Sequence, residues 1–168
     1  MANKVAAVAE GAALDTPDLD ELRARLQSGR TQGHYYVALL GLRVYEPLRL
    51  YEAVRKGLSY STLLRLQRNT TLSATVLADL AQIPPRTLAR RKQRGKLDPE
   101  ESDRLVRVSR IFGRALGLFE GDVQAAREWL SSEQVALGGR VPLELAKTDV
   151  GAREVENLVG RLEHGIPT

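Results

Sequence analysis

Residues 72–105, LSATVLADLAQIPPRTLARRKQRGKLDPEESDRL, contain the strongest structural signals in the sequence. The first part of this stretch repeats apolar residues at helical spacing. The helix that this spacing predicts ends at Ile83-Pro84-Pro85, because the residue before a proline avoids the α-helical region and proline is tolerated only in the first turn of a helix. A second helix restarts at about Pro85 and runs to Gln93, and Gly95 suits the left-handed position that follows a helix. The stretch therefore predicts two short helices joined by a tight turn.

The second of these helices is strongly basic. Six cations and no acid lie between Arg86 and Lys96, a charge density that attracts polyanions through counterion release. In a helix-turn-helix the second helix enters the major groove of DNA, where arginine can bond guanine, and threonine or lysine can hold phosphates. Helical spacing predicts that Thr87, Arg90, Arg91 and Arg94 share one face, with Arg86 at its edge. The expected DNA contacts are Arg86, Thr87, Arg90, Arg91, Arg94 and Lys96.

A solvated basic helix that only keeps the protein soluble is the alternative interpretation of the same residues. Inert surfaces usually mix charges of both signs, and the run from Arg86 to Lys96 contains no acid. The charge is also concentrated in this part of the chain. Residues 61–110 carry eleven basic and five acidic side chains, while the whole chain has a net charge of +4. DNA binding is therefore the favoured interpretation.

Four acids follow within residues 98–103 and invite interpretation as a metal site. A helix start explains them better. Asp98 suits the N-cap, Pro99 the first helical position and Glu101 the third, and acids there complement the helix dipole. An apolar stripe then predicts a long core helix ending near Gly121. No metal site is expected.

Helical spacing of apolar residues continues through nearly the whole chain, without alternating runs bounded by hairpin turns. The predicted fold class is all-α, with a helix-turn-helix DNA-binding region followed by a small helical domain. In the N-terminal part a helix is expected from Pro17 to about Gly29. The Ala-rich residues 1–15 receive no function, because chain termini become ordered only when they are tied down.

Composition excludes several classes of protein. With 168 residues, of which 43% are hydrophobic and 27% charged, the chain is long and apolar enough to fold. The lack of cysteine excludes disulfides, cysteine-ligated zinc and a thiolate nucleophile. Only two histidines and no phosphate-binding glycine loop are present, so neither an enzyme nor a cofactor is expected. No apolar run approaches the roughly 20 residues that span a bilayer, which favours a cytoplasmic protein without membrane contact.

Seven separate motifs occur together in the central and C-terminal parts of the chain. Those in the central part are Ile83–Arg91, Leu97–Leu105 and Ala126–Leu130. Those in the C-terminal part are Ala136–Gly139, Pro142–Leu145, Thr148–Ala152 and Val155–Gly165. Together these motifs resemble the Xre/MbcA/ParS antitoxins. The resemblance covers about residues 41–168 and leaves residues 1–40 as an N-terminal extension of unknown role.

The resemblance implies an antitoxin of a bacterial type II toxin-antitoxin pair. Its partner would be a RES-domain toxin that consumes NAD. The helix-turn-helix, within residues 41–113, would bind operator DNA and repress the antitoxin's own operon. The toxin-binding domain, residues 114–168, would cover the toxin's active site. The resemblance also implies a homodimer, which suits two half-sites about one helical turn of DNA apart, and a larger complex with the toxin.

The last predicted helix carries an apolar stripe followed by a short tail. Val155, Leu158, Val159 and Leu162 recur at helical spacing, and this stripe either packs on the helix of Trp129 or docks on a partner. The tail after Gly165 has too few residues to build a core, so it is the better candidate to enter a toxin cleft. The expected toxin contacts are Val155, Leu158, Val159, Leu162, Glu163, Gly165, Ile166 and Pro167.

Two other functions remain open on the sequence. A stand-alone helix-turn-helix regulator would bind DNA without any toxin. An interaction protein would use the basic helix for a protein contact. A steep dependence of affinity on salt concentration separates DNA binding from the second of these.

Overall fold

The structure is a computed structural model that describes residues 17–167. The Ala-rich residues 1–15 lie outside the described part of the chain. Residues 17–167 form helices and no named strand, which confirms the all-α prediction. Short 3-10 helices cover Tyr35–Leu40 and Val135–Leu137. The α-helices are α1 (Pro17–Gln27), α2 (Pro47–Lys56), α3 (Tyr60–Thr70), α4 (Ala74–Leu80), α5 (Pro85–Arg94), α6 (Pro99–Leu118), α7 (Val123–Leu130), α8 (Pro142–Leu145) and α9 (Asp149–Glu163).

Helix α6 is the central support of the fold. It begins with the predicted capping box, in which the Asp98 side chain accepts from the backbone of Glu101 and the Glu101 carboxylate accepts from Asp98 N. Leu105, Phe112 and Leu116 are fully buried along its inner face. The helix packs against the first 3-10 helix, α7 and α9. The expected boundary between residues 113 and 114 therefore falls inside one continuous helix.

The N-terminal segment is an integral part of the core. All six residues of Tyr35–Leu40 are buried, and Asn69 Nδ2 donates to Leu39 O at 2.8 Å. The segment lies so close to α6 that a Cβ added to Gly113 would lie 2.6 Å from Tyr36 Cβ. Residues 17–40, whose role the sequence left unknown, thus complete the packing of α6.

Helix α9 packs its apolar stripe inside the protein. Val155, Leu158 and Val159 are buried, and α9 lies against α6 and α8. Their assignment as toxin contacts is wrong, because a partner could reach them only if α9 left its own core. Of the two alternatives for the stripe, packing within its own protein is correct. The stripe packs mainly against α6 rather than against the helix of Trp129.

Among the helices of residues 17–167, none combines the length and the hydropathy that a membrane span requires.

The junction between α8 and α9 requires a glycine. Thr148 caps α9 by accepting from Gly151 N at 3.1 Å. A Cβ added to Gly151 would lie 2.2 Å from the carbonyl oxygen of Leu145, much closer than van der Waals contact allows. Helix α9 therefore sits directly on the backbone that leaves α8.

Replacing this glycine gives a direct test of the junction. We expect Gly151→Ala to lower the free energy of unfolding by about 1–3 kcal/mol, because α9 must move away from Leu145. The matched control is Gly160→Ala in the same helix, where an added Cβ meets nothing within 4 Å. The control should raise the free energy of unfolding by up to about 1 kcal/mol, since alanine is the better helix former. Urea unfolding measures both, and equal effects would contradict the close contact.

Candidate functional site

Helices α4 and α5 form the predicted helix-turn-helix. Ser73 caps α4 by accepting from Val76 N at 3.2 Å. In the turn, Gln82 adopts the left-handed conformation with φ of 55°, and Ile83 N donates to Ala78 O at 2.7 Å. Pro85 then occupies the start of α5, where its missing N–H costs nothing. The local sequence signals thus place both helices where they were predicted.

The outward face of α5 differs from the predicted one. Leu88 is half-buried and Arg91 is buried, with only 6% of its surface exposed, so both face the protein. The opposite side of the helix borders a shallow depression of about 310 Å³. The depression is lined by Arg86, Thr87, Ala89, Arg90 and Gln93.

Arg91 belongs to the framework of the site. Its Nε donates to Glu101 Oε2 at 2.8 Å, and its Nη2 donates to Glu101 Oε1 at 3.0 Å and also to Asp98. The hydrogen bonds that Arg91 donates to Glu101 raise the pKa of Arg91 further, so the guanidinium stays charged. The prediction that Arg91 contacts DNA is wrong, because its donors are directed at these two carboxylates. Glu101 was expected only to cap α6, and its side chain performs both tasks.

Arg94 also faces one of these carboxylates, from a more exposed position. Its Nη2 donates to Asp98 Oδ1 at 2.6 Å. This hydrogen bond, together with the charges of the neighbouring arginines, lowers the pKa of Asp98. Part of the predicted positive charge is therefore neutralised within the protein.

Four cations on and beside α5 remain exposed. None of them forms an ion pair with another residue of the described chain. Two of them, Lys92 and Lys96, lie beside the outward face of α5 rather than on it. The four are Arg86, Arg90, Lys92 and Lys96.

Both Lys92 and Gln93 were absent from the predicted contacts. Gln93 lies seven residues after Arg86 and three after Arg90, so the helical spacing of the sequence already carried this signal. It was missed because its side chain is uncharged, and the contacts were predicted mainly from charge. Lys92 was missed because it lies off the face that the spacing of the arginines selected.

The end of α5 is held as firmly as its start. Gly95 has the predicted left-handed conformation, with φ of 72°, and its carbonyl accepts from Tyr60 N at 2.9 Å. Leu97 N donates to Leu58 O at 2.8 Å, and Leu58 N donates to Ser102 Oγ at 2.8 Å. The loop after α5 is thereby attached to the loop before α3 and to α6.

A lysine connects the helix-turn-helix to the C-terminal region. Lys147 Nζ lies 2.8 Å from Asp79 Oδ2 in α4 and 2.7 Å from Glu144 Oε2 in α8. The Lys147 carbonyl accepts from Gln82 and from Arg107, each at 3.3 Å. The hydrogen bond to Asp79 is the main cause of the raised pKa of Lys147. Glu144 is only three residues away and its ion pair with Lys147 is local, but sequence reasoning had no signal for the ion pair with Asp79, which is far away in the chain.

The C-terminal residues lie on the surface. Ile166 N donates to Arg161 O at 2.9 Å, which turns the tail back onto the end of α9. The Ile166 side chain is nevertheless 49% exposed, and Leu162 is 36% exposed. Glu163, Gly165 and Pro167 are exposed as well. Of the expected toxin contacts, these five remain accessible.

Within residues 17–167, no group of three or more histidine or acidic side chains is placed to hold a metal ion.

Comparison with known proteins gives one family match for the helix-turn-helix region and another for the C-terminal region. Residues 49–110 match the model of the antitoxin Xre-like helix-turn-helix domain. Residues 114–165 match that of the antitoxin Xre/MbcA/ParS C-terminal toxin-binding domain. The two matches meet within α6.

Three relatives carry the name Antitoxin Xre. The protein of Yersinia enterocolitica is 34% identical over 128 residues, 76% of this chain and 86% of the relative. That of Photorhabdus laumondii is 33% identical over 114 residues, 67% of this chain and 77% of the relative. That of Pseudomonas putida is 29% identical over 147 residues, 86% and 84% of the two chains. The family expectation is confirmed, and the chain belongs to the Xre family of antitoxins.

Proposed function

We propose that this antitoxin binds the operator of its own operon through the outward face of α5 and neutralises a cognate toxin with its exposed C-terminal end. The observation that carries the first part is the set of four exposed cations on and beside α5, without an intramolecular ion pair among the described residues. Such cations gain free energy by displacing counterions from phosphates. Both ends of α5 are fixed, so the helix presents them from a rigid support.

The toxin-binding part of the proposal rests on the exposed end of α9. Leu162 and Ile166 are apolar side chains at the surface of a domain whose family model is a toxin-binding one. The tail carries a main-chain hydrogen bond to α9, so it is partly ordered before a partner arrives. The tail then loses less conformational entropy when it binds a partner.

The finer identity of the partner follows from the resemblance described above. We propose a RES-type toxin that consumes NAD, with the antitoxin tail covering its active site. The antitoxin itself is proposed to act without catalysis, as a cytoplasmic homodimer that also assembles into a larger complex with the toxin. A pull-down of the product of the neighbouring gene tests this partner. Absence of such a product would favour the stand-alone regulator.

Operator binding should depend strongly on salt. We expect the logarithm of the affinity for a fragment of the protein's own promoter to fall linearly with the logarithm of the salt concentration, because each phosphate contact releases counterions. Lys92→Ala should make the slope shallower by about 0.9 for each half-site bound, because each protomer then neutralises one phosphate fewer. Fluorescence anisotropy measures the slope. Salt-independent binding would instead indicate an interaction protein.

Arg91→Ala should act on folding rather than on DNA contact. The substitution removes the main cationic partner of Glu101, which lies in a largely buried position, so we expect the free energy of unfolding to fall by about 3 kcal/mol. The neighbouring exposed variant Lys92→Ala is the control and should change it by less than about 0.5 kcal/mol. Chemical denaturation compares the two. An Arg91→Ala protein as stable as the control would show that the ion pairs are unimportant for folding.

Deletion of residues 165–168 should separate the two activities. We expect folding and promoter binding to be retained, because residues 165–167 are exposed and lie outside the buried core, while toxin activity is released in cells that co-express both proteins. Ile166→Asp should act in the same direction, since a charge there opposes burial in a toxin cleft. Growth after induction of the toxin is the measurement. Full neutralisation by the deletion variant would contradict the role of the tail.

A further inference from the structure

We propose that Arg86 and Arg90 each bond a guanine base in the major groove, and that these two guanines lie about two base pairs apart in each operator half-site. The inference rests on the proposed operator binding and adds which side chains distinguish one DNA sequence from another. It divides the basic residues on and beside α5 into those that bond bases, those that contact phosphates and those that stabilise the fold.

The first reason is the state of the guanidinium groups. Arg91 is committed to Glu101 and Asp98, and Arg94 donates to Asp98. Arg86 and Arg90 are exposed, and neither forms an ion pair with a described residue. An arginine with free donors matches the O6 and N7 acceptors of guanine in a bidentate arrangement. Of the four arginines in α5, these two have the required donors exposed.

The second reason is their spacing. Four residues along an α-helix correspond to about 6 Å of rise and slightly more than one turn, so Arg86 and Arg90 project on the same side. Successive base pairs are about 3.4 Å apart, so two steps measure about 7 Å. The two side chains therefore match bases separated by one intervening pair.

The third reason is the shape of the surface between them. Ala89 lies on the same face and, with Arg86, Arg90 and Gln93, borders the shallow depression. A methyl side chain at this position leaves room for the edge of a base pair, and alanine can contact the methyl group of thymine. A long side chain here would hold the helix away from the groove floor. The depression is thus a concave surface with guanidinium groups at its border.

The lysines provide the contrast. Lys92 lies about 120° around the helix from Arg86, since each residue turns the helix by about 100°. Lys96 follows Gly95, beyond the end of α5. An ammonium group is a compact point charge without the planar fork that matches guanine. We assign both lysines to phosphates, where they contribute affinity without sequence preference.

Methylation interference on a promoter fragment tests this division. Dimethyl sulfate modifies guanine N7, which the proposed contacts require. The wild-type protein should show interference at two guanines per half-site, two base pairs apart. Arg86→Ala and Arg90→Ala should each abolish interference at one of the two guanines in every half-site and weaken binding about 5- to 150-fold per half-site. Lys92→Ala should weaken binding on all sequences and leave the interference pattern unchanged.

Each outcome decides between defined alternatives. Circular dichroism and thermal unfolding of the three variants verify that their fold is intact, which is expected because all three side chains are exposed. A wild-type protein that binds the fragment without guanine interference, or arginine variants that keep the full pattern, would overturn the inference while operator binding stands. A wild-type protein that does not bind the fragment at all would overturn the proposed operator binding, and this inference with it.

Discussion

The contact of Arg91 with Glu101 and Asp98 is the constraint on which the functional face of the molecule depends. The guanidinium is buried between α5 and the start of α6, and its Nε lies 2.8 Å from a carboxylate oxygen of Glu101. Removal of one partner from such a group leaves an uncompensated buried charge, so the pair strongly disfavours other orientations of α5. The side of the helix opposite Arg91 must then face solvent. Arg86 and Arg90 are exposed because Arg91 is not.

A similar division between buried and exposed residues is visible at the other end of the molecule. Helix α9 buries Val155, Leu158 and Val159 inside the protein, while Leu162 in its last turn and Ile166 in the tail are exposed. Lys147 holds the beginning of α9 against the helix-turn-helix, while Ile166 lies at the far end. The protein thus fixes most of the helix and exposes a short apolar end. A short ordered end lowers the entropy lost when a partner binds.

Local signals in the sequence predicted where the helices begin and end better than they predicted which face of each helix is exposed. The proline pair, Gly95 and the capping box at Asp98 each act on neighbouring backbone, so they place the helix ends correctly. Helical spacing shows which residues share a face but not whether that face is buried, and a salt bridge can bury an arginine that composition assigns to solvent. The contacts of Lys147 with Asp79, Gln82 and Arg107 were not predictable, because they join residues that only the tertiary fold brings together.

The continuity of α6 also affects how such proteins can change over evolutionary time. Residues 99–110 of the helix match the helix-turn-helix model, residues 114–118 match the toxin-binding model, and Gly113 between them packs against the N-terminal segment. A recombination event at residues 113 and 114 would join two helix segments selected against different neighbours, and close-packed interiors tolerate such mismatches poorly. The continuity of α6 therefore opposes exchange of the helix-turn-helix region independently of the toxin-binding domain.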